Sequence, residues 1–282
     1  MTRITEQSSL YNDLEQRSVE EITAMINRED QRVPLAIQAA LPQLNALINA
    51  IVAKLKSGGR LFYLGAGSGG RLSVLDAIEL PTTFGVPKGL VNVILAGGID
   101  RLAEAPEEME DLPEAGWYEL MQNDVSEKDI VLGISASGTT PFVLGALTKC
   151  REHKITTGCI VSNPDSPIAA VANFPVEVIT GPEFLTGSTR MKCGSAQKMI
   201  FDMISTTVMI QLGRVKDNKM VHVLLINDKI TDRAVKMLME LGQIEDYDQA
   251  KQLLHNQGSV QKAIDHIIAN SNKVDESISP AP

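Results

Sequence analysis

The chain has 282 residues, 44% of them hydrophobic, and a net charge of −9. That is enough chain for one large domain, or for one domain with an appendage. The acidic balance, without any basic run, excludes a nucleic-acid backbone as partner. No apolar run approaches the roughly 20 residues of a membrane helix. The opening MTRITEQSSLYNDLEQRS has neither an apolar core nor a small-residue cleavage site, so no secretory signal is expected there. The expected location is the cytoplasm, with no membrane partner.

Residues 1–57 are predicted to be mainly helical. In SVEEITAMINRED, Ser18 and Glu21 have the spacing of a capping box. VPLAIQAALPQLNALINAIVAKLKSGG repeats apolar residues at helical spacing, with Pro42 as a possible kink, and stops at Gly58 and Gly59. Strand-like and helix-like runs then alternate. RLFYLG leads to a helix over residues 70–79, VNVILAG to an acidic helix, and DIVLGISAS to TPFVLGALTKCREH. TTGCIVS leads to SPIAAVAN, and PVEVIT to the long helix SAQKMIFDMISTTVMIQLG. These strand runs are almost continuously apolar, as strands covered on both faces should be. The expected class is α/β: a doubly wound sheet of about five parallel strands flanked by helices. After residue 228 the pattern changes to three short helices punctuated by Gly242 and Gly258, expected to form a small appendage over 229–272. KVDESISPAP, residues 273–282, reads as a flexible tail.

Gly65, Gly67 and Gly70 fit the G-x-G-x-x-G of a dinucleotide site. The acidic residue that should hold the ribose is missing from the end of the second strand, where Asp100 lies too far along. The glycines could also serve only to turn the chain tightly. A second loop, SASGTT at residues 135–140, likewise joins an apolar strand to a helix. Glycine lets the backbone approach a ligand, hydroxyls supply hydrogen bonds, and helix N-termini favour anions. Either loop alone could be turn chemistry; together they read as a phosphate cradle at the carboxyl ends of parallel strands. No Gly-Lys-Ser/Thr follows, so a nucleoside triphosphate is not expected. Cys150, Cys159 and Cys193 read as buried small hydrophobes. The scattered His153, His222, His255 and His266 show no metal-ligand spacing, so neither metal nor cofactor is expected.

Residues 135–140 resemble the S-x-S-G-x-T loop of the sugar isomerase (SIS) domain, which binds phosphosugars through serine and threonine hydroxyls. GPEFLTGSTRMKCGSAQK, residues 181–198, resembles the signature shared by the N-acetylmuramic acid 6-phosphate etherases and glucokinase regulatory proteins. GAGSGGRLSVLDAIELP is similar to the etherases' first loop, G-A-G-T-S-G-R-L-x-x-x-D-A-S-E. The resemblance runs from INREDQRVPLAI through the final helices, and so covers nearly the whole chain. It implies an SIS domain over 58–228, a C-terminal bundle like the small ubiquitin-associated fold, and a homodimer whose sites lie where two subunits meet.

The resemblance further implies a lyase that removes the D-lactyl ether of N-acetylmuramic acid 6-phosphate. The products would be N-acetylglucosamine 6-phosphate and D-lactate. The phosphosugar would be held by Gly67, Ser68, Gly69, Ser135, Ser137, Thr139, Thr140, Glu183, Ser188, Arg190 and Lys192. Arg190 and Lys192 could offset an anionic group of the substrate or form a structural ion pair with Glu183; Arg71 is similarly ambiguous. Two carboxylates with separated pKa values could supply acid and base. Glu79 shares a helical face with Leu72 and Leu75 and is expected to be buried in a last helical turn, where burial and the helix dipole would raise its pKa. A surface glutamate is the alternative, and the resemblance decides for the catalytic acid. Glu110 lies in an acidic run that reads as a solvated helix face; the resemblance alone makes it the second catalytic residue, the base.

The chain departs from the etherase pattern at Ser68-Gly69, Ile78, Leu80, Thr82, Cys193 and His222. These departures leave open a related phosphosugar as substrate. A phosphosugar-sensing regulator and an SIS-type isomerase are the competing functions.

Overall fold

The computed structural model describes residues 3–104 and 106–277. Two compact units divide the chain: residues 1–77 with 89–208, and residues 78–88 with 209–282.

The first unit begins with an extended arm that includes a short helical turn, Ile4–Glu6. Helix α1, Val19–Asp30, opens with the expected capping box: Ser18 Oγ accepts from the Glu21 amide and the Glu21 carboxylate accepts from the Ser18 amide. Helix α2, Val33–Lys56, runs through Pro42 and ends before Gly58, whose φ is +84°. By length and composition the stretch Val19–Lys56 is apolar enough to cross a membrane, contrary to the expectation that no run would be. The side chains responsible are largely those of one α2 face, Val33, Ile37, Leu44, Leu47, Ile51 and Leu55, which are buried. Leu47 reaches Gly158 of the sheet, and Gln43 Oε1 accepts from the Glu177 amide at 2.9 Å.

The sheet consists of β1 (Leu61–Gly65), β2 (Val91–Leu95), β3 (Ile130–Ser135), β4 (Thr156–Val161) and β5 (Phe174–Glu177), all parallel, in the order β2-β1-β3-β4-β5. This is the expected α/β class. Because β-strand side chains alternate, Phe62, Leu64, Val131, Cys159 and Val161 face one side. There they pack with Leu120 of α4 (Ala115–Gln122), with Phe142, Val143 and Leu147 of α5 (Pro141–Glu152), and with Ile168 of α6 (Pro167–Val171). The acidic helix expected after β2 is instead two short 3₁₀ turns, Ile99–Arg101 and Glu107–Asp111.

The opposite face carries Tyr63. Its hydroxyl donates to Asp76 Oδ2 at 2.9 Å, Ser205 Oγ donates to Asp76 Oδ1 at 2.8 Å, and its ring lies 5.2 Å from Phe201. This buried cluster ties β1 to α3 (Gly67–Phe84) and α7 (Lys192–Gln211). Burial pushes the Asp76 carboxyl up to about 6, despite the two donors that favour its charged form. Where β1 passes into α3, a Cβ on Gly70 would stand 2.5 Å from Leu95 Cδ1 and 2.9 Å from the Gly65 carbonyl carbon.

The second unit comprises the end of α3 with α8 (Asp228–Gly242), α9 (Tyr247–Gln257) and α10 (Val260–Ser277). Its core joins Val221 and Val223 to Val235, Leu238, Leu254 and Ile264. Thr82 of α3 belongs to it through its carbonyl, which accepts from the Leu224 amide at 3.1 Å. Asn227 and Asp246 cap α8 and α9. Gly258 takes the left-handed cap of α9 as expected, but after α8 that conformation falls on Gln243. Gly242 serves instead as a close-packing point, since a Cβ there would meet Ile267 Cδ1 at 2.8 Å. Helix α10 continues to Ser277, into the stretch expected to be a tail from 273; residues 278–282 lie outside the described residues.

Two outcomes follow from this packing. Gly70→Ala should destabilise the protein by about 1–3 kcal/mol, read as a lowered melting temperature, because the Gly65 backbone cannot move aside as a flexible side chain could. Asp76 is protonated near 6 when folded against 3.8 for an unperturbed aspartate, so its proton stabilises the fold below about pH 4 and that contribution is lost as pH rises through 6. The stability of Asp76→Asn relative to wild type should therefore rise by about 2 kcal/mol between pH 4 and 7, measured by denaturant titration across that range.

Candidate active site

Strand order reverses between β1 and β3: the chain leaves β1 for β2 on one side, then returns to β3 on the other. Ligand crevices in open parallel sheets form at such a point, beyond the carboxyl ends of the strands. Gly65 pairs in register with Ile134, so the loops after β1 and β3 emerge side by side. Between them lies a cavity of about 590 Å³.

The loop after β3 contributes Ser135, Ser137, Thr139 and Thr140 to the cavity wall. Their hydroxyls form one connected cluster. Ser135 Oγ lies 2.8 Å from Thr140 Oγ1, the Gly138 amide donates to Ser135 Oγ at 3.1 Å, and the Thr139 hydroxyl donates to Ser137 Oγ at 3.1 Å. Gly138 is required here: its φ is +71°, and a Cβ would stand 2.4 Å from Ser166 Cβ. The loop leads into α5 through Thr140, whose side chain does not cap the helix, and Pro141 occupies its first turn. The positive end of the helix dipole is thus aimed at the loop.

The first turn of α3, which starts at Gly67 and not at residue 70 as expected, contributes Gly67, Ser68 and Gly69. Gly67 has φ +53°, and a Cβ on Gly69 would meet Ile134 Cγ2 at 2.7 Å and Gln197 Oε1 at 2.9 Å. Both glycines therefore answer a local demand, while Gly70 serves the packing of α3 on β1. Glu110 also lines the cavity, half-buried, with Glu107 and Glu108 of the same turn exposed. Burial raises its carboxyl pKa, and the charges of Asp111 and Glu107 add to the rise. A titrating group in that state can accept or deliver a proton closer to neutrality than an ordinary glutamate.

Five predicted site residues are not in the cavity wall. Glu79 is exposed, which corrects the expectation of burial. Helix α3 turns Ser73, Asp76, Ala77 and Leu80 inward, so the face that carries Leu75, Ile78 and Glu79 points outward. Nor does Glu79 sit in the last turn, because the helix continues through Pro81 to Phe84. Glu183 is fully buried and binds backbone rather than ligand: its two oxygens accept from the amides of Lys192 and Cys193, each at 2.9 Å, capping α7. Lys192 is fully buried as well. Its ammonium pairs with Glu29 Oε2 at 2.6 Å rather than with Glu183, and Tyr11 Oη donates to the other Glu29 oxygen at 3.1 Å. Burial alone would raise the Glu29 carboxyl; the Lys192 hydrogen bond and charge, with Tyr11 and Arg32, bring it below the ordinary value. Arg190 is exposed and Ser188 half-buried. From this signature it is Gly187, Thr189 and Gln197 that reach the cavity.

The remaining wall residues went unrecognised in the sequence. Arg3 and Glu6 come from the N-terminal arm, and Asp111 from beside Glu110. Asp111 could have been suspected from its neighbour. Nothing local marks Arg3, more than 130 residues from the loop it meets: Arg3 Nη1 donates to Thr139 Oγ1 at 3.0 Å. Among the described residues no group of three or more His, Cys, Asp or Glu is placed to hold a metal ion. All three cysteines are buried, and burial pushes each thiol up to about 12.

Comparison with known proteins adds independent findings. The profile of the glucokinase regulatory protein N-terminal SIS domain matches residues 43–151, and that of the SIS domain matches residues 100–207. An N-acetylmuramic acid 6-phosphate etherase of Bacteroides fragilis is 55% identical over 263 residues, 93% of either chain. That of Porphyromonas gingivalis is 52% identical over 261 residues, 93% of this chain and 95% of its own. The etherase of Salmonella agona is 47% identical over 228 residues, 81% of this chain and 77% of its own. Phosphoheptose isomerases from Francisella tularensis and Neisseria gonorrhoeae superpose with TM-scores of 0.50 at 17% and 14% identity. They cover 71% and 67% of this chain, and 100% and 97% of their own. These two share the fold.

The burial of Lys192 and Glu29 has a measurable consequence. Lys192→Met should cost about 3–5 kcal/mol of folding stability, because the Glu29 charge would be left buried without its cation. Arg190→Ala, on the exposed side of the same segment, should change stability by no more than about 0.5 kcal/mol. Chemical denaturation of both variants reads the difference.

Proposed function

The chain belongs to the N-acetylmuramic acid 6-phosphate etherase family, and from that premise we infer how its own residues carry out the lyase reaction. The enzyme cleaves the D-lactyl ether of N-acetylmuramic acid 6-phosphate, giving N-acetylglucosamine 6-phosphate and D-lactate, in cell-wall sugar recycling. In the open-chain sugar a base removes the proton at C2, and the electron pair forms a C2–C3 double bond as the C3–O bond breaks. The departing lactate oxygen takes up a proton from an acid. Water then adds across the unsaturated aldehyde, its oxygen to C3 and a proton to C2, so the net change is hydrolysis of the ether.

The observation that carries this reading is the hydroxyl cluster of residues 135–140 facing a cavity that also holds Glu110. We assign the sugar's phosphate to Ser135, Ser137, Thr139 and Thr140 at the α5 N-terminus, with Gly67, Ser68 and Gly69 on the opposite wall. Glu110 is assigned as the base at C2; its raised pKa and its place in the cavity support that role. Glu79 is assigned as the acid for lactate on the strength of the family pattern. Its exposure in the single chain fits a homodimer in which the partner covers this face of α3, and the exposed Leu75 and Ile78 beside it are the apolar surface such a partner would bury. We place the enzyme in the cytoplasm, a reducing compartment suited to its unpaired thiols.

Assay of D-lactate release from N-acetylmuramic acid 6-phosphate tests the scheme. Glu79→Gln and Glu110→Gln should each lower the rate by about 10²-fold or more while phosphosugar binding persists. The pH profile should be bell-shaped, with the Glu110 limb above the usual carboxylate range. A fully active Glu79→Gln would remove that assignment. Tight phosphosugar binding without lactate release from the wild type would make the chain a sensor instead. A monomer by light scattering would exclude the shared site.

A further inference from the structure

We propose that Arg3, delivered by the N-terminal arm, is the counter-charge for the substrate's phosphate. This rests on the assignment of residues 135–140 as the phosphate loop, and it extends that assignment to a segment the reaction scheme does not use.

The charge balance of the cavity calls for a cation. Among the described residues, the cavity wall contains the acids Glu6, Glu110 and Asp111, and Arg3 is the one cation in it. A sugar phosphate brings a further charge between −1.5 and −2 near pH 7, into a protein whose net charge is already −9. Hydroxyls and amides offer dipoles, which hold an anion in place without cancelling its charge. The hydrogen bond from Arg3 to Thr139 brings the guanidinium to the rim of the loop, at the neighbour of Thr140 and two residues from Ser137. A planar guanidinium there can donate two further N–H groups to phosphate oxygens.

The arm that delivers Arg3 is anchored. Arg3 itself is exposed, but Thr5, two residues on, is completely buried. The Thr5 amide donates to Asn163 Oδ1 at 3.2 Å, and Asn163 Nδ2 donates to Thr5 Oγ1 at 2.9 Å. The same Nδ2 lies 3.2 Å from the carbonyl of Ala136 and 3.1 Å from that of Ser137. One buried side-chain amide therefore fixes both the arm and the loop. Farther along, the Ser9 amide donates to Thr186 Oγ1 at 2.8 Å and Ser9 Oγ donates to the Phe184 carbonyl at 2.6 Å. An exposed, adaptable cation on a tethered base is the arrangement expected of a residue that engages an incoming anion.

The test is calorimetric titration of the full-length protein with N-acetylglucosamine 6-phosphate, which has the phosphate but no lactyl group. Arg3→Ala should bind it about 10- to 100-fold more weakly than wild type, while Arg3→Lys should stay within about 5-fold; neither should shift the melting temperature. Wild-type affinity should rise as the phosphate loses its second proton near pH 6, and Arg3→Ala should flatten that rise. Unchanged product affinity in Arg3→Ala overturns the inference and leaves the etherase reading intact. Unchanged product affinity together with a raised KM for N-acetylmuramic acid 6-phosphate also overturns it, because Arg3 would then meet the lactyl carboxylate. A wild type that binds no phosphosugar and releases no lactate overturns the underlying reading, and the inference with it.

Discussion

The reversal of strand order between β1 and β3 governs what the rest of the first unit can do. Two neighbouring strands end level with each other and their chains depart in opposite directions, so no connection covers the space beyond them. Such a gap is useful only if the backbone can come close to it. Gly67, Gly69 and Gly138 meet that need, each through a positive φ or a neighbour too near for a Cβ. The hydroxyls of residues 135–140 then form a polar lining at that opening. The 135–140 loop is thus a product of topology as well as of motif.

Charge is distributed around this opening with some economy. The acidic and basic residues of the 181–198 signature, which suggest ligand contacts, are partly spent on architecture: Glu183 holds the first turn of α7, and Lys192 neutralises Glu29 of α1. What the cavity receives from that segment is uncharged, namely Gly187, Thr189 and Gln197. Glu110 keeps a raised pKa through burial, to which the charges of Asp111 and Glu107 add.

The sheet was legible because parallel strands buried on both faces are almost continuously apolar, as LFYLG, IVLGIS and TTGCIV are. The capping box of α1 and the 135–140 loop were legible because their chemistry is local. Burial of individual charged side chains was not. Periodicity correctly grouped Leu72, Leu75 and Glu79 on one face of α3, but it carries no sign, and it could not tell that Asp76 and Leu80 mark the inward side. Pro81 read as a helix end, although a proline removes only one backbone donor and α3 continues past it. Lys192 illustrates the same limit over distance, since its partner Glu29 lies 163 positions away. Arg3 had no signal at all, because the loop it meets is brought to it only by the folded sheet.

The Asn163 amide ties two segments into one inherited unit. Residue 5 and the backbone at 136–137 share a single donor, so a drift at any of them alters the setting of the others. Across descendants of this chain, a hydroxyl at the fifth position and a carboxamide at 163 should be kept or exchanged as a pair, with the amino-terminal stretch evolving at the pace of the 135–140 loop instead of the faster pace usual for a chain end.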